Sequence, residues 1–260
     1  VNSATLIEQI RSNIKDNYKA GFPIIKELIQ NADDGEATSV TIGWSVGIPD
    51  NPHPLLRTPG VFVINNGKFD DRDEHGIKSI GVSVKSGDAG TIGKFGLGLK
   101  SVFHLGEAFL YIAQQPDGRN GAPDREWVQL ISPWVGRDLP WLAEVSPQAR
   151  ASLTQWLQPF LPEGERWFCL WVPLRTSVHA QTGRIGEGTP GDPDEPGKSP
   201  DVPVNLMPSN GAELVAECLP MLRHVRHVAY VTNYGDGFRQ VWEVKLANCR
   251  RLAPNCSTDR

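Results

Sequence analysis

Lys26 to Asp34 reads KELIQNADD, and the fold turns on how this stretch is built. At about 100° of turn per residue in a helix, Ile24, Ile25, Leu28, Ile29 and Ala32 gather on one broad apolar face. Glu27, Asn31 and Asp34 then form a narrow polar stripe at its edge. A carboxylate and a carboxamide at i and i+4 point the same way, so one can accept a proton while the other holds a water or a metal. Pairs of this kind also occur on ordinary solvated helix faces, so the weight falls on the surrounding sequence.

Upstream, Leu6, Ile7, Ile10 and Ile14 recur at helical spacing, which predicts an amphipathic helix over Ala4 to Tyr18 with Ser3 as its N-cap. Gly21, Phe22 and Pro23 break it, and Pro23 suits the first turn of the next helix, which ends near Gly35. Downstream, VTIGWSV (Val40 to Val46) alternates as a strand, a proline-rich loop follows, and VFVIN (Val61 to Asn65) reads as a second strand. Asn65, Asn66 and Gly67 suit the turn that ends it. The run from Asp70, DDRDEHGIKSIG, has an acidic first turn and predicts a short helix.

Gly90 to Leu105, GTIGKFGLGLKSVFHL, is the second informative stretch. Its glycines leave backbone amides uncovered just before an apolar helix, an arrangement suited to phosphate. Neither the Walker A pattern nor a GxGxxG following a strand is present, and a flexible glycine loop has the same composition. VKSGDAG, Val84 to Gly90, reads as a mobile cover in which Lys85 supplies a cation.

Taken in order, KELIQNADDGEAT, VINNGKFDDRDEHGIKSIG and TIGKFGLGLKSVFHL resemble the Bergerat nucleotide site of the GHKL superfamily, and within it the amino-terminal ATPase modules of sacsin and its prokaryotic relatives. Fainter likeness continues in FCLWVPLR, Phe168 to Arg175, and in ELVAECLPMLRHVRHVAYV, Glu213 to Val231. The resemblance implies an α+β fold: a two-layer α/β sandwich whose mixed, mostly antiparallel sheet is covered by helices on one face. It implies ATP and Mg²⁺ as ligands, with Glu27 as the general base that polarises the attacking water. Asn31 matches the residue that holds Mg²⁺. Asp34, Asn65, Asn66, Gly67 and Lys85, with the phosphate-cradling Gly93, Lys94, Phe95, Gly96, Leu97 and Gly98, match nucleotide-binding positions. The chemistry agrees, since a carboxylate takes a proton and a neutral amide oxygen suits a hard cation.

Two positions depart from the superfamily. Asn65, Asn66 and Gly67 stand where relatives have an Asp that grips the adenine amino group; an Asn oxygen can still accept from that group, while its nitrogen adds a donor. Trp167 and Phe168 replace the small residues that precede the late strand in relatives.

The rest of the chain bounds the function. The 260 residues carry a net charge of −4, with 39% apolar and 22% charged residues, so a nucleic-acid surface is not the leading expectation. Cys169, Cys218, Cys249 and Cys256 show no CxxC pair, which argues against a zinc site or disulfide framework and for a reduced, cytoplasmic protein. No apolar run is long enough for a bilayer. The tryptophan-rich segments of Gly106 to Trp167 read as core or interface. Thr182 to Pro203, rich in Gly, Pro and Asp, reads as a flexible loop or linker, and Ala212 to Arg223 as an amphipathic helix before strands HVAYV and VWEVKLA. These features suggest a nucleotide-binding core over 1–178, a flexible Pro/Gly-rich loop or linker over 179–205 and an appended helix-strand segment packed on the core over 206–260. The chain, opening on Val1, reads as part of a longer protein with further domains, and relatives dimerise. Two functions follow: an ATPase that drives or gates conformational change in a larger protein, or a nucleotide sensor with little turnover.

Overall fold

A computed structural model describes residues 3–16, 19–82, 98–116, 125–134, 138–161, 165–181, 183–195, 200–203 and 205–247. Among them lie seven helices: α1 (Ser3–Asp16), α2 (Phe22–Asp34), α3 (Pro54–Arg57), α4 (Asp71–Val82), α5 (Pro147–Leu157), α6 (Ser177–Ala180) and α7 (Gly211–Cys218). Seven strands, β1 (Ser39–Ser45), β2 (Gly60–Asn65), β3 (Phe109–Gln115), β4 (Arg125–Ile131), β5 (Trp167–Pro173), β6 (His227–Asn233) and β7 (Phe238–Lys245), form one sheet in the order β4-β3-β5-β2-β1-β6-β7. Only β1 and β6 run parallel; the other neighbours are antiparallel. The sheet is thus mixed and mostly antiparallel, as the sequence suggests, and the architecture is consistent with an α/β sandwich.

Alternation along the central strands splits the interior in two. Val61 and Val63 of β2, Phe168 and Leu170 of β5, and Val40 and Ile42 of β1 face Leu6 and Ile10 of α1 and Ile25, Leu28 and Ile29 of α2. The residues between them, Phe62, Ile64, Cys169 and Trp171, face Ala149, Leu153 and Leu157 of α5. The expectation of helices on one face is therefore corrected, because α5 packs on the second. Room for this layer is made by Gly43, where a Cβ would fall inside the Phe62 ring. There Phe62 lies parallel to Trp171 at 6.2 Å and edge-on to Trp156 at 5.4 Å.

Three further expectations change. The segment taken as appended supplies β6 and β7 to the same sheet, with Val40 to Ser45 registered against Val228 to Asn233, so it completes the fold. The helix expected over Ala212 to Arg223 stops at Cys218, and a 3-10 turn covers Leu219–Met221. Pro220 lacks the amide that a continuing α-helix needs. Part of the glycine- and proline-rich stretch read as a flexible linker is tied down: the Ile185 amide donates to Glu107, and the Gly191 amide donates to the Arg175 carbonyl at 2.8 Å.

Candidate functional site

The chemistry-bearing stripe of α2 is set by how that helix is held. Pro23 occupies its first turn and Ile24, Ile25, Leu28, Ile29 and Ala32 are buried against the sheet, which leaves Glu27 half-buried at the margin. At the other end Asp33 is buried, and its carboxylate accepts the backbone amides of Arg223 (3.0 Å), His224 (2.6 Å) and Val225 (2.9 Å). Burial pushes the Asp33 pKa up, but these three donors outweigh it and hold the carboxyl below its ordinary value. This clamp ties α2 to the entry of β6 and fixes the rotation of the helix.

Asn31 and Asn65 meet across a narrow crevice walled by Leu28, Ala32, Val63, Leu99, Phe168 and Leu170. It has room for about 10 Å³, enough for roughly one water. Asn31 is 7% exposed, and its Nδ2 is buried with no hydrogen-bond partner. An orphaned amide of this kind is destabilising unless a ligand or water completes it. Asn65, 8% exposed, accepts the Gly67 amide on its Oδ1 at 2.9 Å. A Cβ at Gly67 would fall 2.9 Å from that same oxygen and 3.0 Å from the Gly35 carbonyl, so the turn needs glycine for its close approach to the end of α2.

Glu27 lies one helical turn before Asn31. Its carboxylate sits against Gly98, which opens a 3-10 turn over Gly98–His104; a Cβ on Gly98 would come 3.2 Å from Glu27 Cδ and closer still to Oε2. Glu27, Asn31, Asn65, Gly67 and Gly98 are therefore brought to one side of the sheet. Asn66 is used differently. Its Oδ1 accepts the Thr38 and Ser39 amides at 2.9 and 3.1 Å, and its Nδ2 donates to Thr38 Oγ1 at 2.9 Å, so its carboxamide closes the start of β1. Asp34, exposed at the last position of α2, is not among the residues lining the crevice. Lys85, Gly93, Lys94, Phe95, Gly96 and Leu97 lie outside the described residues.

Phe168 forms the aromatic wall of the crevice, stacked on Phe69 at 5.3 Å and on Tyr111 at 6.0 Å. Below the site, buried Arg175 pairs with buried Glu107 and donates to the carbonyls of Phe103 (2.7 Å), His104 (3.1 Å) and Gly106 (3.3 Å), the end of the Gly98–His104 turn. Glu107 also accepts Trp134 Nε1 at 2.8 Å. Sequence reasoning missed this pair; the signal available was an Arg closing an unbroken strand of buried residues, FCLWVPLR. Lys100, half-buried in the same turn, was missed as well, and burial pushes its ammonium pKa down. Among the described residues no three His, Cys, Asp or Glu side chains could share a metal ion. A cation here would need oxygens from its ligand. Asn31 fits that case, since Mg²⁺ keeps most of its shell from water and phosphate and takes one or two protein ligands.

Residues 3–115 match the family described as Sacsin domain, a span that contains every candidate from Glu27 to Gly98. Sacsin of Homo sapiens is 36% identical over 101 residues, which cover 36% of this chain and 2% of that protein. Protein NO VEIN of Arabidopsis thaliana is 33% identical over 96 residues, covering 35% of this chain and 3% of that protein. Among solved structures, the N-terminal domain of a DNA repair protein aligns with 94% of this chain and 56% of its own at 10% identity, with a TM-score of 0.41. Among the described residues no helix is long and apolar enough to cross a membrane. The chain is thus similar over residues 3–115 to the Sacsin domain, and it spans 2 to 3% of the length of the curated relatives it matches.

Proposed function

We propose that this chain is a nucleotide-binding module of the GHKL type that binds ATP with Mg²⁺, hydrolyses it slowly, and gates conformational change in a larger protein. The observation that carries this reading is the disposition of α2: Glu27 at the margin against Gly98, and one turn later Asn31 with a buried, unpartnered amide in an apolar crevice. Glu27 accepts the proton of a water aimed at the terminal phosphate. The Asn31 oxygen is the protein ligand for Mg²⁺, which when bound offsets phosphate charge. The apolar crevice takes the base, the one part of a nucleotide that gains from leaving water. Clamped at Asp33 and packed through Leu28 and Ile29, α2 holds both side chains in fixed relation.

A sensor that binds nucleotide without turnover is the second reading. Phosphate release by wild type and Glu27→Gln separates the two. The ATPase reading expects steady release that falls at least 10²-fold in the variant while ATP stays bound. Bound ATP with no release from wild type would leave the sensor.

A further inference from the structure

We infer that Asn65 makes the crevice permissive at position 6 of a purine, so that 6-oxopurine nucleotides bind as well as ATP. The inference rests on the nucleotide reading above and concerns which base that site takes.

The orientation of the Asn65 carboxamide is decided by its surroundings. The Gly67 amide donates to its Oδ1 at 2.9 Å; turning the carboxamide over would set an NH₂ group against that N–H, donor against donor. Its Nδ2 is therefore the end left for a ligand, with one lone pair remaining on Oδ1. Across the crevice, the Asn31 Nδ2 is buried without a partner. The remaining walls, among them Leu28, Val63, Phe168 and Leu170, are apolar. No described carboxylate lines this crevice.

A purine edge against Asn65 can pair in two ways. With a 6-amino base, N6–H donates to the free lone pair of Oδ1 and N1 accepts from Nδ2–H. With a 6-oxo base the roles exchange: O6 accepts from Nδ2–H and N1–H donates to Oδ1. Both pairings match the Asn65 carboxamide to the N1 and position-6 groups that face it, so neither base leaves those two groups unpaired. A carboxylate at this position offers acceptors only. It would meet the 6-amino group well and face O6 with like partial charge, which leaves that oxygen unpaired. Asn65 is thus the residue that sets base selectivity, and substituting Asp installs the selectivity that wild type lacks. The Asp33 clamp and the Gly67 turn should survive, because an Asp oxygen accepts the Gly67 amide as the Asn oxygen does.

The test uses ATP and ITP, which differ only at position 6 and its neighbouring N1–H. Calorimetric titration of the whole chain with each nucleotide, in Mg²⁺, should give wild-type dissociation constants within about threefold of one another. In Asn65→Asp the ITP constant should rise at least tenfold relative to that for ATP. A wild-type preference for ATP of tenfold or more overturns the inference without touching the nucleotide reading, as does an Asn65→Asp variant, folded by circular dichroism, whose ratio is unchanged. The wild-type comparison needs no variant to fold. Failure of wild type to bind either nucleotide would instead refute the nucleotide reading on which the inference stands.

Discussion

Gly98→Ala tests whether the carboxylate of Glu27 does chemistry. Gly98 does not occupy the left-handed region, so alanine can adopt its backbone conformation, and the substitution in a helical turn should raise stability slightly, by up to about 1 kcal/mol. The added methyl instead points at Glu27, 3.2 Å from Cδ and nearer to Oε2. Ordinary carbon contacts begin at about 3.5 Å, so the carboxylate must withdraw by roughly 1 Å. A displacement of that size at a positioned base lowers turnover by about 10²-fold. The affinity for Mg·ATP should stay within about threefold, because Glu27 acts on the water. Phosphate release under saturating ATP, calorimetric affinity and melting temperature, measured on one preparation, separate these quantities. Combined with Glu27→Ala, the substitution should add nothing further. Full turnover in a folded Gly98→Ala protein would refute the role given to Glu27.

The other predictions draw on buried groups. Asn31→Ala removes an unpartnered buried amide, so the urea midpoint should hold or rise while the effect of Mg²⁺ on ATP affinity disappears; a retained Mg²⁺ effect would count against the metal role. Arg175→Met strands Glu107, 1% exposed, without its cation, and should cost about 3–5 kcal/mol by urea unfolding at pH 7; a loss below about 1 kcal/mol would contradict the structural weight given to this buried pair. His179 is kept neutral by burial and by the Arg175 charge, its pKa pushed down to about 4, and the Thr176 amide donates to its Nδ1 at 3.2 Å. Between pH 6.5 and 4 the unfolded chain takes up a proton that the folded chain refuses, so stability should fall by about 3 kcal/mol over that window. In His179→Gln this decline should flatten, which urea midpoints at pH 7 and 4.5 would reveal.

What the sequence made legible was local. The face of α2 and the apolar run of β2 are legible in the sequence, and Ile24, Ile25, Leu28, Ile29 and Ala32 are buried as the helical spacing requires. The α5 helix was missed although its signals are present: Ser146 accepts the Ala149 amide as an N-cap, Pro147 follows, and Ala149, Leu153 and Leu157 recur every four residues. Tryptophan and proline in that stretch masked the period, and with it the second core layer. The remaining misses are non-local. Nothing near Asn66 reveals that its carboxamide is taken by Thr38, 28 residues earlier, or that Asp33 rather than Asp34 is the buried acid, tied to amides about 190 residues away. The Glu107–Arg175 pair joins residues 68 apart. Polar side chains near a predicted site divide into those that face a ligand and those that close the fold, and that division depends on partners brought together only by the sheet.

The central claim is that α2 and its crevice form a Mg²⁺-dependent ATP site, and the most direct measurement is calorimetric titration of the chain with ATP in the presence of Mg²⁺ and again with the metal chelated. Saturable binding of one ATP per chain, weakened at least tenfold by chelation, is the predicted result. Absence of binding under both conditions, by a protein whose circular dichroism shows it folded, would contradict the account.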